Sequence, residues 1–335
     1  MAGTPTSRES DWEGVRLHVV TGKGGTGKTT VAAALALALA RDGRRTLLVE
    51  VENRQGIAQI FDTPPLPYAE RTVAVGPGGG DVLALAVDPE EALLEYLEMF
   101  YKLGRAGRAL RKIGAIDFAT TIAPGLRDVL LTGKVFEAVR RKKPDRSGPV
   151  YDAVVLDAPP TGRIARFLGV NAEVAGLARV GPIRGQADAI MALLRSPQTV
   201  VHVVTLLEEM PVQETGDAVA ELTAAGLPVG AVIVNAVREP LLKVAELTAA
   251  AKGLLPRDEV AAGLAAAGVG VRPGALDALL VEAGEHAARV SLEKAGRKQL
   301  KTLARPTYEL PLLTEGVDLG GLYDLAERLC RQGAA

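Results

Sequence analysis

A single α/β domain, with a mainly parallel twisted sheet flanked by helices, is the fold class this sequence predicts, and three observations carry it. Short β-branched or leucine-rich runs alternate with helical stretches along most of the 335 residues. Strands alternating with helices imply right-handed crossovers between parallel neighbours. Those runs also lack the apolar/polar alternation of a strand with one wet face, so the sheet should be covered on both sides. Apolar residues make up 48% of the chain and charged residues 24%, a balance that buries a sizeable core.

The elements follow in order. Met1 to Gly14 is polar, lacks the apolar stretch of a secretion signal and is read as a flexible tail ahead of one domain over residues 15–335. The first strand is expected at Val15 to Val20, followed by a glycine-rich turn and the alanine-rich helix Thr29 to Arg41, with Asp42 and Gly43 as a left-handed cap. Thr46 to Val51 and Val82 to Val87 are the next strands, with Gly76 to Gly80 as a flexible turn before the latter. Leu93, Leu97, Phe100 and Tyr101 stand at helical spacing that continues through Leu110, Ile113 and Leu126. This predicts a helical insertion over about residues 89–146. Strands return at Ala153 to Leu156, Thr199 to Leu206 and Ala231 to Val234. A second insertion, alanine-rich and broken at Gly253, Pro256, Pro273 and Gly274, fills about residues 240–305. A last strand near Tyr308 to Leu312 and an amphipathic helix over Leu322 to Cys330 complete the chain, the helix expected to pack on the domain.

Composition removes several function classes. The formal net charge is −1, so no bulk basic field exists to hold nucleic acid, and none is expected as a partner. The basic clusters Arg105, Arg108, Arg111, Lys112 and Arg140, Arg141, Lys142, Lys143 have no interleaved aromatics and read as solvated helix faces. Val31 to Ala40 is the most apolar run and covers about half the span of a membrane helix, so no membrane insertion is expected. Cys330 is the one cysteine, which rules out an intrachain disulfide and a thiolate metal site and fits a reducing cytoplasm. His18 and His202 lie in apolar strands and read as satisfied core histidines.

The chemistry lies in the turn after the first strand. Gly22 to Thr29 reads GKGGTGKT, the pattern GxxxxGK[ST] between a strand and a helix. Gly22, Gly24, Gly25 and Gly27, with Thr26 among them, let backbone N–H groups turn inward around phosphate oxygens, and the helix N-terminus adds its positive end. Lys28 is placed to reach the β- and γ-phosphates of ATP, Thr29 to ligate Mg²⁺ through its hydroxyl, and Thr30 to lie near the α-phosphate. Asp157, at the end of the strand through Val155 and Leu156, stands where a carboxylate holds the metal through water.

Lys23 is an extra lysine directly after the first glycine, and KGGTGKT resembles the deviant Walker A class of P-loop ATPases. The stretch DAPPTGRIARFL, Asp157 to Leu168, is similar to the switch II motif DTAPTGHTxRFL of ArsA-type ATPases, including those that target tail-anchored membrane proteins. The likeness continues through PGLRDVL, TLLEEMPVQET, VIVN and LPLL, nearly the whole chain. This resemblance implies MgATP as cofactor and a homodimer, or a heterodimer with a paralogous subunit. In it, Lys23 crosses to the partner's phosphates and supplies charge in the transition state. It further implies that Gly162 offers its amide to the γ-phosphate, that Asn235 reads adenine, and that Pro311 and Leu312 pack on the base.

Three departures qualify the resemblance. The family's switch I, DPAHSLSD, is replaced by ENRQGIAQ, so that Glu52 stands for the aspartate that orients the attacking water. A misplacement of about 1 Å costs on the order of 100-fold in rate, so turnover is expected to be slow. Glu50 either helps place Mg²⁺ or Lys23, or is a plain strand-end carboxylate. The cysteines that would hold arsenic or zinc are missing, and few methionines are present to build an adaptable groove for apolar helices. The leading expectation is an ATP-hydrolysing dimer that couples nucleotide state to a client. The rivals are a nucleotide-gated binding module with little hydrolysis and a ParA- or MinD-like positioning ATPase.

Overall fold

The computed structural model describes residues 11–335 apart from 53, 102–123, 178–181, 271 and 273. Eight strands form one sheet in the order β3-β4-β2-β5-β1-β6-β7-β8. Strands β1 (Leu17–Gly22), β2 (Thr46–Glu50), β4 (Asp81–Ala86), β5 (Ala153–Asp157), β6 (Thr199–Thr205), β7 (Val229–Val237) and β8 (Thr307–Pro311) run parallel. Only the edge strand β3 (Arg71–Val75) is antiparallel, paired with β4. β3 escaped the sequence reading because much of it is wet: Arg71, Thr72 and Val75 are exposed, and an edge strand does not need the continuous apolar run of its neighbours.

Both faces of the sheet are covered, as the apolar strands require. Leu17, Val19, Leu47, Val49, Val154, Leu156, Val201 and Val203 point into one core, roofed by α4 (Pro124–Arg140), α5 (Thr161–Leu177) and α6 (Pro182–Leu194). Val20, Leu48, Val155, Val204 and Ile233 point into the other, beneath α1 (Lys28–Leu39) and α11 (Leu319–Gln332). Alanine and leucine surround α1 on all sides, and a helix of that kind is stable only when enclosed. Every residue from Val31 to Leu39 is buried, and α11 seals α1 with Leu322, Leu325, Ala326 and Leu329.

The first insertion shows α3 (Pro89–Tyr101) and α4, while Leu110, Ile113 and the Arg105 cluster lie outside the described residues. The second forms α8 (Val244–Ala251), α9 (Arg257–Ala266) and the 27-residue α10 (Ala275–Lys301), started by Gly274 in the left-handed region at φ 83°. The short α2 (Gly56–Ile60) follows β2, and α7 (Glu209–Ala224) lies between β6 and β7, bringing the helices to eleven among the described residues.

Two expectations need correction here. Asp11 and Trp12, inside the stretch read as a tail, are docked: Asp11 N–H donates to the Gly333 carbonyl at 2.8 Å, and Trp12 Nε1 donates to the Tyr308 hydroxyl at 3.0 Å. An indole buries too much apolar surface to be left in solvent when a partner is near. The Gly76 to Gly80 turn is tight rather than loose. Gly76 N–H donates to the Gly80 carbonyl at 2.6 Å, and a Cβ on Gly80 would strike the carbonyls of Ala40 and Arg44.

Candidate nucleotide-binding site

β1 sits mid-sheet between β5 and β6, the point where the winding of the chain changes direction. Open parallel sheets bind ligands in the crevice at the carboxyl end of such strands. The loop from Gly22 to Lys28 leaves β1 at that end. Gly25 and Gly27 take φ of 87° and 83°, the left-handed conformations that let consecutive amides face one concavity. A Cβ on Gly22 would collide with the Val204 carbonyl, and one on Gly27 with the Asn235 amide. Gly24 has open space around it, so crowding does not demand glycine there.

The loop closes on the Lys23 carbonyl, which accepts from Thr26 Oγ1 at 2.9 Å and from Lys28 Nζ at 3.4 Å. Lys28 is buried at the head of α1, and that burial lowers the ammonium's pKa against the pull of Asp157 and Glu52. Thr29 Oγ1 donates to Asp157 Oδ2 at 2.7 Å, so the hydroxyl and the carboxylate assigned to Mg²⁺ already touch. Burial pushes the Asp157 carboxyl up to about 6, with the Thr29 hydrogen bond and Lys28 opposing and Glu50 and Glu52 adding to the rise. A small, hard cation that takes oxygen ligands and phosphates fits this pair. Among the described residues, no group of three or more His, Cys, Asp or Glu side chains could hold a metal. That is compatible with a cation held mainly by a hydroxyl, phosphates and water.

Residues 15–196 match the sequence profile of the anion-transporting ATPases. The chain belongs to this family. ATPase BagA of Mycobacterium tuberculosis is 55% identical over 331 residues, covering 99% of this chain and 97% of that protein. The arsenical pump-driving ATPase of Acidiphilium multivorum is 26% identical over 321 residues, 91% of this chain and 53% of that protein. ATPase GET3 of Kluyveromyces lactis is 24% identical over 250 residues, 64% of this chain and 70% of that protein.

Within this family member, the site residues named from sequence come from separate stretches of the chain. The loop and Thr30 come from β1 and α1, Glu52 follows β2, Asp157 and Gly162 flank the start of α5, and Asn235 lies two residues before the end of β7. Asn235 Nδ2 donates to the Thr26 carbonyl at 2.9 Å, so in this structure it braces the phosphate loop. Pro311 pairs with Val237, and Leu312 N–H donates to the Val237 carbonyl at 2.8 Å, which sets Pro311 and Leu312 beside the end of β7.

Glu50 is more than a plain strand-end carboxylate. It is buried, and its two oxygens accept from the backbone N–H groups of Arg54 at 2.6 Å and Ile57 at 3.1 Å. It shapes the loop that carries Glu52, which the sequence could not show because the bonds depend on how residues 51–57 turn. Lys23 Nζ meets Glu214 of α7 at 2.6 Å in the same chain, and Glu52 lies between Arg54 at 3.6 Å and Arg163 at 3.8 Å. Sequence reasoning missed Glu214 and Arg163. A signal for Arg163 was present, since it stands where the resembled motif has histidine.

Elsewhere, His18 Nδ1 lies 3.2 Å from His202 Nε2, and Ala231 N–H donates to His202 Nδ1 at 3.2 Å. His202 is therefore satisfied, and on His18 the second ring nitrogen, Nε2, has only the Val15 backbone to favour it among the described residues. No helix of the described residues is long and apolar enough to cross a membrane.

Proposed function

We propose that this chain hydrolyses ATP with Mg²⁺, working as a homodimer or as a heterodimer with a paralogous subunit, and couples the nucleotide state to a client protein. The observation that carries this reading is the contact between Thr29 and Asp157 at the mouth of the glycine loop, with Lys28 alongside. A hydroxyl, a carboxylate and an ammonium gathered at a helix N-terminus match what a triphosphate and its cation need.

In this mechanism the loop amides and Lys28 bind the β- and γ-phosphates. Mg²⁺, when bound, neutralises charge on those phosphates, and Thr29 with Asp157 would hold it. Gly162 N–H faces the γ-phosphate. Glu52 orients water for in-line attack, and Lys23 of a second subunit completes the site. Asn235 with Pro311 and Leu312 frames the base. The intrachain pair of Lys23 with Glu214 means that the lysine must change partner before it serves another subunit. That requirement, together with the extra methylene of Glu52, favours slow turnover in the isolated chain.

The test is Lys28→Ala in an equilibrium titration with a fluorescent ATP analogue. Affinity should fall by at least about 100-fold, the loss of a charge-assisted hydrogen bond in a buried site. Unchanged affinity would reject the assignment. Steady-state phosphate release across a range of protein concentrations tests the dimer: specific activity should rise with concentration.

A further inference from the structure

We infer that Arg163 is a catalytic residue of this chain, an arginine acting in cis on the transferring phosphoryl group. The inference rests on the ATP-hydrolysing reading above and deepens it. Arg163 lies in the first turn of α5, directly after Gly162, and its backbone N–H is fixed on the Pro160 carbonyl at 2.8 Å. Its anchor is therefore rigid while its side chain, 61% exposed, is loosely held.

Among the described residues, the ion pair Arg163 makes is with Glu52 Oε1, at 3.8 Å, and it also acts electrostatically on the Asp128 carboxyl beside it. Arg54 takes the other oxygen of Glu52 at 3.6 Å. Contacts this long between partly solvated groups contribute little and exchange readily. Beside them lies a polar cavity of about 200 Å³ lined by Glu52, Arg54, Arg127, Asp128, Pro159 and Arg163, room in which a guanidinium can turn. Lys28 feels the charges of both Glu52 and Arg54, so the carboxylate that Arg163 pairs with neighbours the lysine of the glycine loop.

One movement then does two things. Arg163 leaves Glu52 and donates its planar fork to the equatorial oxygens of the γ-phosphoryl group, where charge gathers in the transition state. Glu52, released from that partner, accepts a hydrogen bond from the attacking water. The water oxygen bonds to the γ-phosphorus, and the bond from that phosphorus to the β,γ-bridging oxygen breaks with its electron pair left on ADP. The proton of water passes through Glu52 to solvent, and the products are ADP and inorganic phosphate. Lysine from a second subunit and arginine from the same chain would stabilise the same charge from two sides.

The experiment compares wild type, Arg163→Ala, Arg163→Lys and Lys28→Ala in the full chain. It measures steady-state phosphate release, binding of a fluorescent ATP analogue, and trapping of MgADP by aluminium fluoride, a mimic of the transferring phosphoryl. Arg163→Ala should lower kcat by about 1,000-fold or more, the range for loss of an arginine finger. It should also lose fluoride trapping and bind nucleotide within about 3-fold of wild type, which shows that the variant is folded. Arg163→Lys should regain part of kcat, since it keeps the charge and loses the fork. Wild-type kcat or trapping in Arg163→Ala overturns this inference while a binding loss in Lys28→Ala leaves the ATP site standing. A wild type that neither turns over nor traps overturns it too, and normal binding in Lys28→Ala removes the reading beneath both.

Discussion

Replacing Asp157 by asparagine should stabilise the metal-free protein at neutral pH while removing a group the proposed chemistry uses. Asp157 is 8% exposed at the end of β5, and the carboxylates of Glu50 and Glu52 disfavour a further negative charge there. Burial, the largest effect, lifts its carboxyl to about 6, against about 3.9 in an unfolded chain. Between those values the native state holds the proton that the unfolded chain releases. Stability therefore falls as pH rises from about 4 to about 6, and the whole penalty is present above that window. Two pH units correspond to about 3 kcal/mol. At about 2.1 cal/mol/K per residue, a chain of 335 residues melts with an entropy near 0.7 kcal/mol/K, so the gain should be about 4 °C. Asparagine still accepts from Thr29 through its carbonyl oxygen, which keeps the 2.7 Å contact. The assay is thermal melting in chelator at pH 8 and at pH 4.5, where the gap should shrink to about a third. Adding Mg²⁺ and ATP should stabilise wild type more than the variant by mass action. A variant that melts lower than wild type at pH 8, or a gap independent of pH, would refute the reasoning.

Three further outcomes are expected. Gly27→Ala places a Cβ against the Asn235 amide at a backbone φ of 83°, and should cost about 1–3 kcal/mol in urea unfolding and weaken nucleotide binding. Burial holds His18 down at about 3 and lowers His202 as well. Below pH 6.5 the unfolded chain takes up protons the native pair refuses, so stability should drop by up to about 1.4 kcal/mol per pH unit for each imidazole as pH falls. A His18→Gln, His202→Gln double variant with the same acid slope would clear the pair of that role. Lys23→Ala should leave the melting temperature nearly unchanged, because its pair with Glu214 is about one-third exposed on both sides. Phosphate release should nevertheless fall by about 100-fold or more, the scale of losing one transition-state charge donor; equal turnover would take Lys23 out of the mechanism.

The phosphate loop was legible because its chemistry is local. Glycines that must adopt left-handed angles, a lysine and a threonine stand within eight consecutive residues, and a strand and a helix on either side orient them. The parallel sheet was legible for a related reason: a strand covered on both faces must be apolar throughout, and six of the eight strands announce themselves that way. β3 did not, since one wet edge frees its residues from that demand. The pairings around the site could not be read at all. Glu50 binding the backbone of its own loop, Lys23 held by Glu214 across 191 residues of chain (214 − 23), and Glu52 shared between Arg54 and Arg163 all join segments that sequence keeps apart or turns unpredictably. Amino-acid order alone determined the charged and hydrogen-bonding residues of the loop itself, Lys23, Lys28 and Thr29, and pointed to Asp157 and Glu52, but not to Glu214 or Arg163. Only the tertiary structure decided which of those charges neutralise one another, because ion pairs depend on distances of a few ångströms set by how β1, β2, α5 and α7 converge at one end of the sheet.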